Sequence, residues 1–527
     1  MSALTGTREL VRLALRLDRV RLPIWVLGIA VLPMTAAAQY LELYPTEESI
    51  REVGGFTSST SLVALSGPMF RVSVGGLTAW KTLVTALVLV GLMSLFTVVR
   101  HTRAEEETGR LELVGAVVVG RLAPLTAALL TAGLANLAVA LLTALGLLGT
   151  GLPAAGAVAM GLAVGSFGVV LTAVAAVAVQ LTEGSRAANG IGAAVLGGVY
   201  LLRAVGDTGP VWLSWLSPLG WAMRIRPYAG ERWWPLGLVA GLVVVLCCLA
   251  YVLAGRRDLG AGMLPQRPGP AVAAPGLRSA LALAWRLHRG TLVGWVIAMA
   301  LAGAIMGGAA AGLPEAFGSN RQVADVMARM GGSKGLVDMY LATVFGIIGL
   351  TAAAYTVQAT LRLRAEEAGG RVEPLLATAV PRTRLALSHL GIALLGTAVL
   401  LAVSGLCAGL GYGIQVHDVG GQVPRLLAAG LVQFPAAGVI AGLGTALFGL
   451  VPRASQLTWA ALVACLVLLE LGALLGLDQW VVDVSPFAHV PKLPGSAVET
   501  APLAWLVAVS VVLVGVGLAG FRRRDVR

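Results

Sequence analysis

The chain has 527 residues, of which 57% are Ala, Val, Ile, Leu, Met, Phe, Trp, Tyr or Cys and 12% are charged. A soluble domain carries about 25% charged residues, so a water-soluble enzyme of this size is excluded. Disorder is excluded too, because disordered chains are poor in apolar residues. The formal net charge of +12 would suggest a nucleic-acid partner if the basic residues formed a patch. They sit instead at the ends of apolar runs, and no nucleic-acid partner is expected.

In chain order, the segment 8–22 places Arg8, Arg12, Arg16 and Arg19 on one helical face and Leu10, Leu13, Leu17 and Val20 on another. That pattern predicts a helix lying in the membrane interface. Because a charged stretch of this kind precedes the first apolar run, no cleavable signal peptide is expected. Apolar runs then fall at 23–40, 79–101, 123–150, 153–181, 187–205 and 234–254. A second set falls at 293–313, 336–360, 385–411, 424–450, 456–476 and 501–520. A membrane helix needs about 20 apolar residues, so the fold class is an all-α polytopic membrane protein of about 12 transmembrane helices. With both termini cytoplasmic, 26 of the 38 Lys and Arg residues fall on the inner side, as the positive-inside rule requires. The expected location is the bacterial cytoplasmic membrane.

The sequence repeats itself. Arg16-Leu-Asp-Arg19 returns as Arg286-Leu-His-Arg289, and Arg256-Arg257-Asp258 as Arg523-Arg524-Asp525. Between them, Arg103-Ala-Glu-Glu-x-x-Gly-Arg-x-Glu112 returns as Arg364-Ala-Glu-Glu-x-x-Gly-Arg-x-Glu373, identical at seven of ten positions. Leu216-Ser-Pro-Leu219 is echoed by Val484-Ser-Pro-Phe487. Four landmarks in the same order imply two parallel six-span repeats, an arrangement typical of transporters. The halves are 1–264 and 278–527, joined by a Pro/Ala/Gly-rich cytoplasmic linker at 265–277. No loop exceeds about 40 residues, the lower limit for a domain that folds alone.

The repeated motif opens the segments 102–122 and 362–384, each between the second and third span of its half. Read as helices, these pair Glu106 with Arg110 and Glu367 with Arg371 at i,i+4. Leu111, Leu113 and Val114 would then hold the first helix on the membrane surface. The R-A-E-E-x-x-G-R-x-E motif, the amphipathic helix and the six-span half resemble the permeases of ABC-2 type transporters. The fused form is similar to actinobacterial exporters of polyketide antibiotics of the tetronasin type. The resemblance implies an ATP-driven exporter of amphiphilic or apolar compounds whose two ATPase subunits are separate chains that bind ATP and Mg. This chain itself then needs no cofactor and is no enzyme. It also implies that Arg103, Glu105, Glu106, Gly109, Arg110 and Glu112 couple to one ATPase, and Arg364, Glu366, Glu367, Gly370, Arg371 and Glu373 to the other. The interfacial helices carrying Arg12, Arg16, Arg19, Arg286 and Arg289 would help to receive them. Ala368-Gly369 and Pro374 depart from the first copy, so the two contacts are expected to be unequal. The competing reading is an ion-coupled secondary drug transporter, which also uses twelve spans in two repeats.

An intramembrane ionisable group is a functional candidate by default. Arg203 and Glu470 stand at nearly equivalent depths with opposite charge, and an ion pair between the halves is expected of them. Gly161-x-x-x-Gly165 predicts close helix packing. The cysteines, Cys247, Cys248, Cys407 and Cys465, lie in apolar runs and read as small hydrophobes, with no metal site. No G-x-x-x-x-G-K-[ST] occurs, and the substrate cavity is not legible.

Overall fold

The computed structural model describes residues 2–44, 50, 60–110, 119–258, 260–264, 271–312, 332–471, 478–496 and 499–525. Among these the secondary structure is helical throughout, and eleven helices are long and apolar enough to cross a membrane. The chain folds as two compact units, Met1–Gly269 and Pro270–Arg527.

Unit 1 runs through α1 (Thr7–Leu17), α2 (Arg21–Leu43), α3 (Thr60–Ser66), α4 (Val74–Arg100), α5 (Arg103–Glu107) and α6 (Ala123–Gly149). It continues with α7 (Ala154–Leu181), α8 (Ser185–Thr208), α9 (Val211–Trp215), α10 (Pro218–Met223) and α11 (Pro235–Arg256). Six of these are the spans expected from the apolar runs. Its core forms around α4 and α7, where Leu87, Val90, Met93, Val164 and Phe167 are almost wholly buried. Lipid removes the hydrophobic drive between helices, so small residues and polar links hold them together. A Cβ on Gly161 would run into the Ala140 carbonyl, so α7 lies directly on α6 as the glycine spacing predicted. Asn136 ties three spans, accepting from Ser94 Oγ at 3.0 Å and donating to Thr172 Oγ1 at 3.1 Å.

Unit 2 runs through α12 (Ala280–Ala311), α13 (Gly332–Thr360), α14 (Arg362–Ala368), α15 (Glu373–Leu376), α16 (Arg382–Gln415), α17 (Val419–Leu431) and α18 (Phe434–Leu450). Then come α19 (Leu457–Leu471), α20 (Gln479–Val482) and α21 (Thr500–Arg523). Five spans are long enough to cross; α17 and α18 together make one of them. The remaining expected span is α19, with 15 helical residues before residues that lie outside the described ones. Where Asn136 links spans in unit 1, Thr356 and Thr397 hydroxyls meet at 2.6 Å in unit 2.

The two units differ at their entrances. In unit 1 the amphipathic α1 is a separate helix, with Arg12, Arg16 and Arg19 exposed as expected. In unit 2 the expected interfacial helix carrying Arg286 and Arg289 does not exist as such. Arg286 and Arg289 are exposed, but they lie on α12, one unbroken helix of 32 residues. Proline explains the difference. Pro23 sits in the first turn of α2, where a missing N–H costs nothing, but inside a longer helix its ring would strike the carbonyl four residues back. Val293 occupies the corresponding place in unit 2 and lets the helix continue.

Candidate functional site

In unit 1 the repeated motif forms a tight elbow after α4. The five-residue helix α5 ends at Glu107 with Thr108 as its cap, and Gly109 follows, with a left-handed φ of +70° and an N–H that donates to the Glu106 carbonyl at 3.0 Å. An L side chain is strained there, which accounts for glycine at this motif position. Arg103 is wholly buried and every nitrogen is used: Nε donates to the Val179 carbonyl, one terminal nitrogen to the Ala261 carbonyl, the other to Glu106 Oε2 at 2.7 Å. The Glu106 carboxylate is gripped a second time from the far end of the unit. Arg257, at the end of α11, donates to its two oxygens at 2.6 and 3.0 Å. Such bidentate, charge-assisted forks are among the stronger hydrogen bonds in proteins. Arg121, at the start of the third span, closes the arrangement by donating to the Arg257 carbonyl at 2.7 Å.

Unit 2 builds the same fork. Gly370 takes φ +68°, and its N–H donates to the Glu367 carbonyl at 2.9 Å. Arg524, just past the end of α21, donates to both Glu367 oxygens at 2.7 and 2.9 Å. Arg364 reaches Glu367 Oε2 at 3.3 Å, and Arg382 donates to the Arg524 carbonyl at 2.5 Å. The Arg524 guanidinium also lies over the Phe448 and Phe521 rings at 4.8 and 5.1 Å, a favourable cation–π placement.

These contacts correct the expected pairings. Glu106 does not pair with Arg110, nor Glu367 with Arg371, because the helix stops at the left-handed glycine and the i,i+4 geometry is lost. Arg110 approaches Glu105 at 3.6 Å instead, and Arg371 pairs with Glu366, which also holds Arg362 at 2.8 Å. Glu112 lies outside the described residues, as does the stretch 111–118. Glu373 is exposed at the start of α15. Arg257 and Arg524 stand in the sequence as a repeated landmark with no partner marked by spacing, and the roles of Arg121 and Arg382 rest on backbone acceptors that residue identity does not show. Recurrence in both halves was the signal for the first pair.

The copies are not equal. Glu107 accepts from the Ser185 backbone N–H at 2.7 Å and from its Oγ at 2.6 Å, tying the elbow to the N-terminus of α8. Ala368 stands in its place in unit 2 and cannot do this. Beside the first elbow, buried Asp18 pairs with Arg100 at 3.0 Å and meets His101 Nε2 at 2.7 Å. In unit 2 the corresponding position is His288, whose Nε2 lies 3.1 Å from His389 Nδ1.

At the other end of α8, Arg203 is wholly buried and partnered inside its own unit. It donates to the Val63 and Leu65 carbonyls at 3.3 and 3.0 Å, lies 3.7 Å from Asp207 and stacks on Tyr200. Asp207 in turn accepts from Ser214 Oγ at 2.8 Å, and Arg224 Nη1 donates to the same hydroxyl at 2.6 Å. Glu470 is on α19, but its side chain lies outside the described ones. A groove of about 360 Å³ runs between α7, α8, α10 and α11, lined by apolar residues including Phe167, Val174, Val195 and Leu246. Among the described residues no group of three or more His, Cys, Asp or Glu could hold a metal ion. All four cysteines are free thiols.

A family described as "Multidrug efflux system permease Rv1217c, C-terminal domain" matches residues 277–522. The chain is also 44% identical, over 528 residues, to the multidrug efflux system permease protein Rv1217c of Mycobacterium tuberculosis (strain ATCC 25618 / H37Rv), covering 100% of this chain and 96% of that protein. Likeness at that level along the full length, on a helical frame that repeats one charged elbow in each unit, places the chain: it belongs to the family of multidrug efflux system permeases.

Proposed function

We propose that the chain is the membrane-spanning subunit of an ABC-2 type exporter, energised by two copies of a separate ATPase chain that bind ATP and Mg. The observation that carries this reading is the elbow itself. A short turn ending in a left-handed glycine, stiffened by the same glutamate–arginine fork, is built once in each unit. Two stiff, charged elbows suit two identical docking partners, and the fork's recurrence supports an origin of the halves by duplication. We place the elbows and both termini in the cytoplasm on the strength of the arginine distribution. Multidrug efflux is the role printed for the mycobacterial relative. For this chain we propose export of amphiphilic or apolar, drug-like compounds, because the groove in unit 1 is apolar and within the usual size range of ligand sites. The test is a mild-detergent purification from native membranes read by mass spectrometry, paired with vesicle transport. A stoichiometric partner carrying a Walker A sequence, with dye export that needs ATP, is expected. A chain that purifies alone and exports on a proton gradient without ATP refutes the reading in favour of a secondary transporter.

A further inference from the structure

The second glutamate of each elbow faces inward. Glu106 and Glu367 side chains are 7% and 1% exposed, with their oxygens taken by forks. What a docking partner can touch is the outer rim, which includes Glu107, Arg110, Arg371 and Glu373. The buried glutamates therefore act on the rest of the unit, and the residue each one holds terminates the last span. Arg257 is the C-cap of α11 and Arg524 the C-cap of α21. Each is gripped twice, by its side chain from the elbow and by its carbonyl from Arg121 or Arg382 at the start of the third span.

The helices so gripped are the least embedded of the spans. Only 11% of the spanning window of each is buried, against 72% for α4 and α7. Little of α11 is held within its unit, and α21 lies close against one partner, α18, where Gly449 and Gly517 approach each other and Ser510 Oγ donates to the Gly438 carbonyl at 2.8 Å, so a pull at its clasped end moves α18 with it. Resting on the proposed function, we infer that Arg257 and Arg524 are positioning residues that carry the ATPase stroke from each elbow into the last span of its unit. An intact helix of 22 residues is about 33 Å long. Displacing its clasped end therefore tilts the whole span and moves its opposite end. Motion at the elbow becomes motion across the membrane without passing through the tightly packed core.

The experiment uses the full transporter, this chain with its ATPase, reconstituted in liposomes of native lipid, with ethidium as the exported probe. R257Q, R524Q and the double variant E367Q/R524Q are compared with R257K and R524K. The double variant removes both charges of the fork and leaves only Arg364, which is 26% exposed and so stays partly solvated. The glutamine variants should keep ATPase co-purification and hydrolyse ATP within twofold of wild type, yet export ethidium at least tenfold more slowly. Lysine should restore part of the export, because it keeps the charge but not the fork. Wild-type export in a folded E367Q/R524Q protein overturns the inference. So does loss of export that merely follows loss of bound ATPase, which would make these residues docking contacts. Wild-type liposomes inert to ATP overturn the proposed function itself, and this inference with it.

Discussion

Replacing Glu106 by glutamine asks how much of unit 1 depends on one carboxylate. The carboxylate neutralises two arginines, of which Arg103 is wholly buried and Arg257 is 10% exposed. Removing one partner of a buried ion pair costs about 3–5 kcal/mol, because the other charge stays buried without compensation. With two arginines stranded, E106Q belongs at the upper end, about 4–5 kcal/mol. In unit 2, Arg364 and Arg524 are 26% and 17% exposed, and water relieves part of the loss. E367Q should cost about 3 kcal/mol. E105Q removes only a 3.6 Å contact to a mostly exposed Arg110, a surface pair worth less than about 1 kcal/mol. For a unit of this size each kcal/mol moves Tm by about 2–4 °C, so E106Q should lower it by on the order of 10 °C. Tryptophan fluorescence during heating in detergent reads the shift. The expected order is E106Q, then E367Q, then E105Q with almost no effect. An E106Q shift no larger than that of E105Q would refute the account of the clasp.

Two further perturbations probe the backbone. G109A and G370A should each cost about 1–2 kcal/mol through left-handed strain alone, since a Cβ at either site meets open space; asparagine should be tolerated better, and equal melting temperatures for alanine and wild type would count against the turn. G161L should strongly reduce the yield of folded protein by forcing α7 off the Ala140 carbonyl, whereas G133L, with nothing within 4 Å, should be recovered normally. Equal yields of the two would show that the α6–α7 contact is loose.

The spans were legible because hydropathy is a strong signal over some 20 residues, and both elbow motifs were legible because they occur twice. The pairings within the elbow were not. Reading Glu106 and Arg110 as neighbours assumed a continuous helix, and the glycine between them breaks it. The true partner, Arg257, is 151 residues away, a distance at which no local spacing rule operates. The Arg203 environment was hidden for another reason. Its partners include the Val63 and Leu65 carbonyls, and backbone acceptors leave no trace in residue identity. The break between α1 and α2 was present in the sequence as Pro23 against Val293 and needed only to be compared across the two halves.

The separation of Glu106 from Arg257 also sets an order of assembly. At about 5–20 residues per second, the elbow emerges from the ribosome on the order of 10–30 s before the arginine that closes it. Until Val179 is made Arg103 and Glu106 have only each other, and until Arg257 is made the elbow has no anchor on the last span. Each half thus waits on its final helix, and a nascent chain cut short before Arg257 or Arg524 carries an open charged loop that quality-control proteases can find. Closure of each half is thus tied to the making of its own last span, once at Arg257 and again at Arg524.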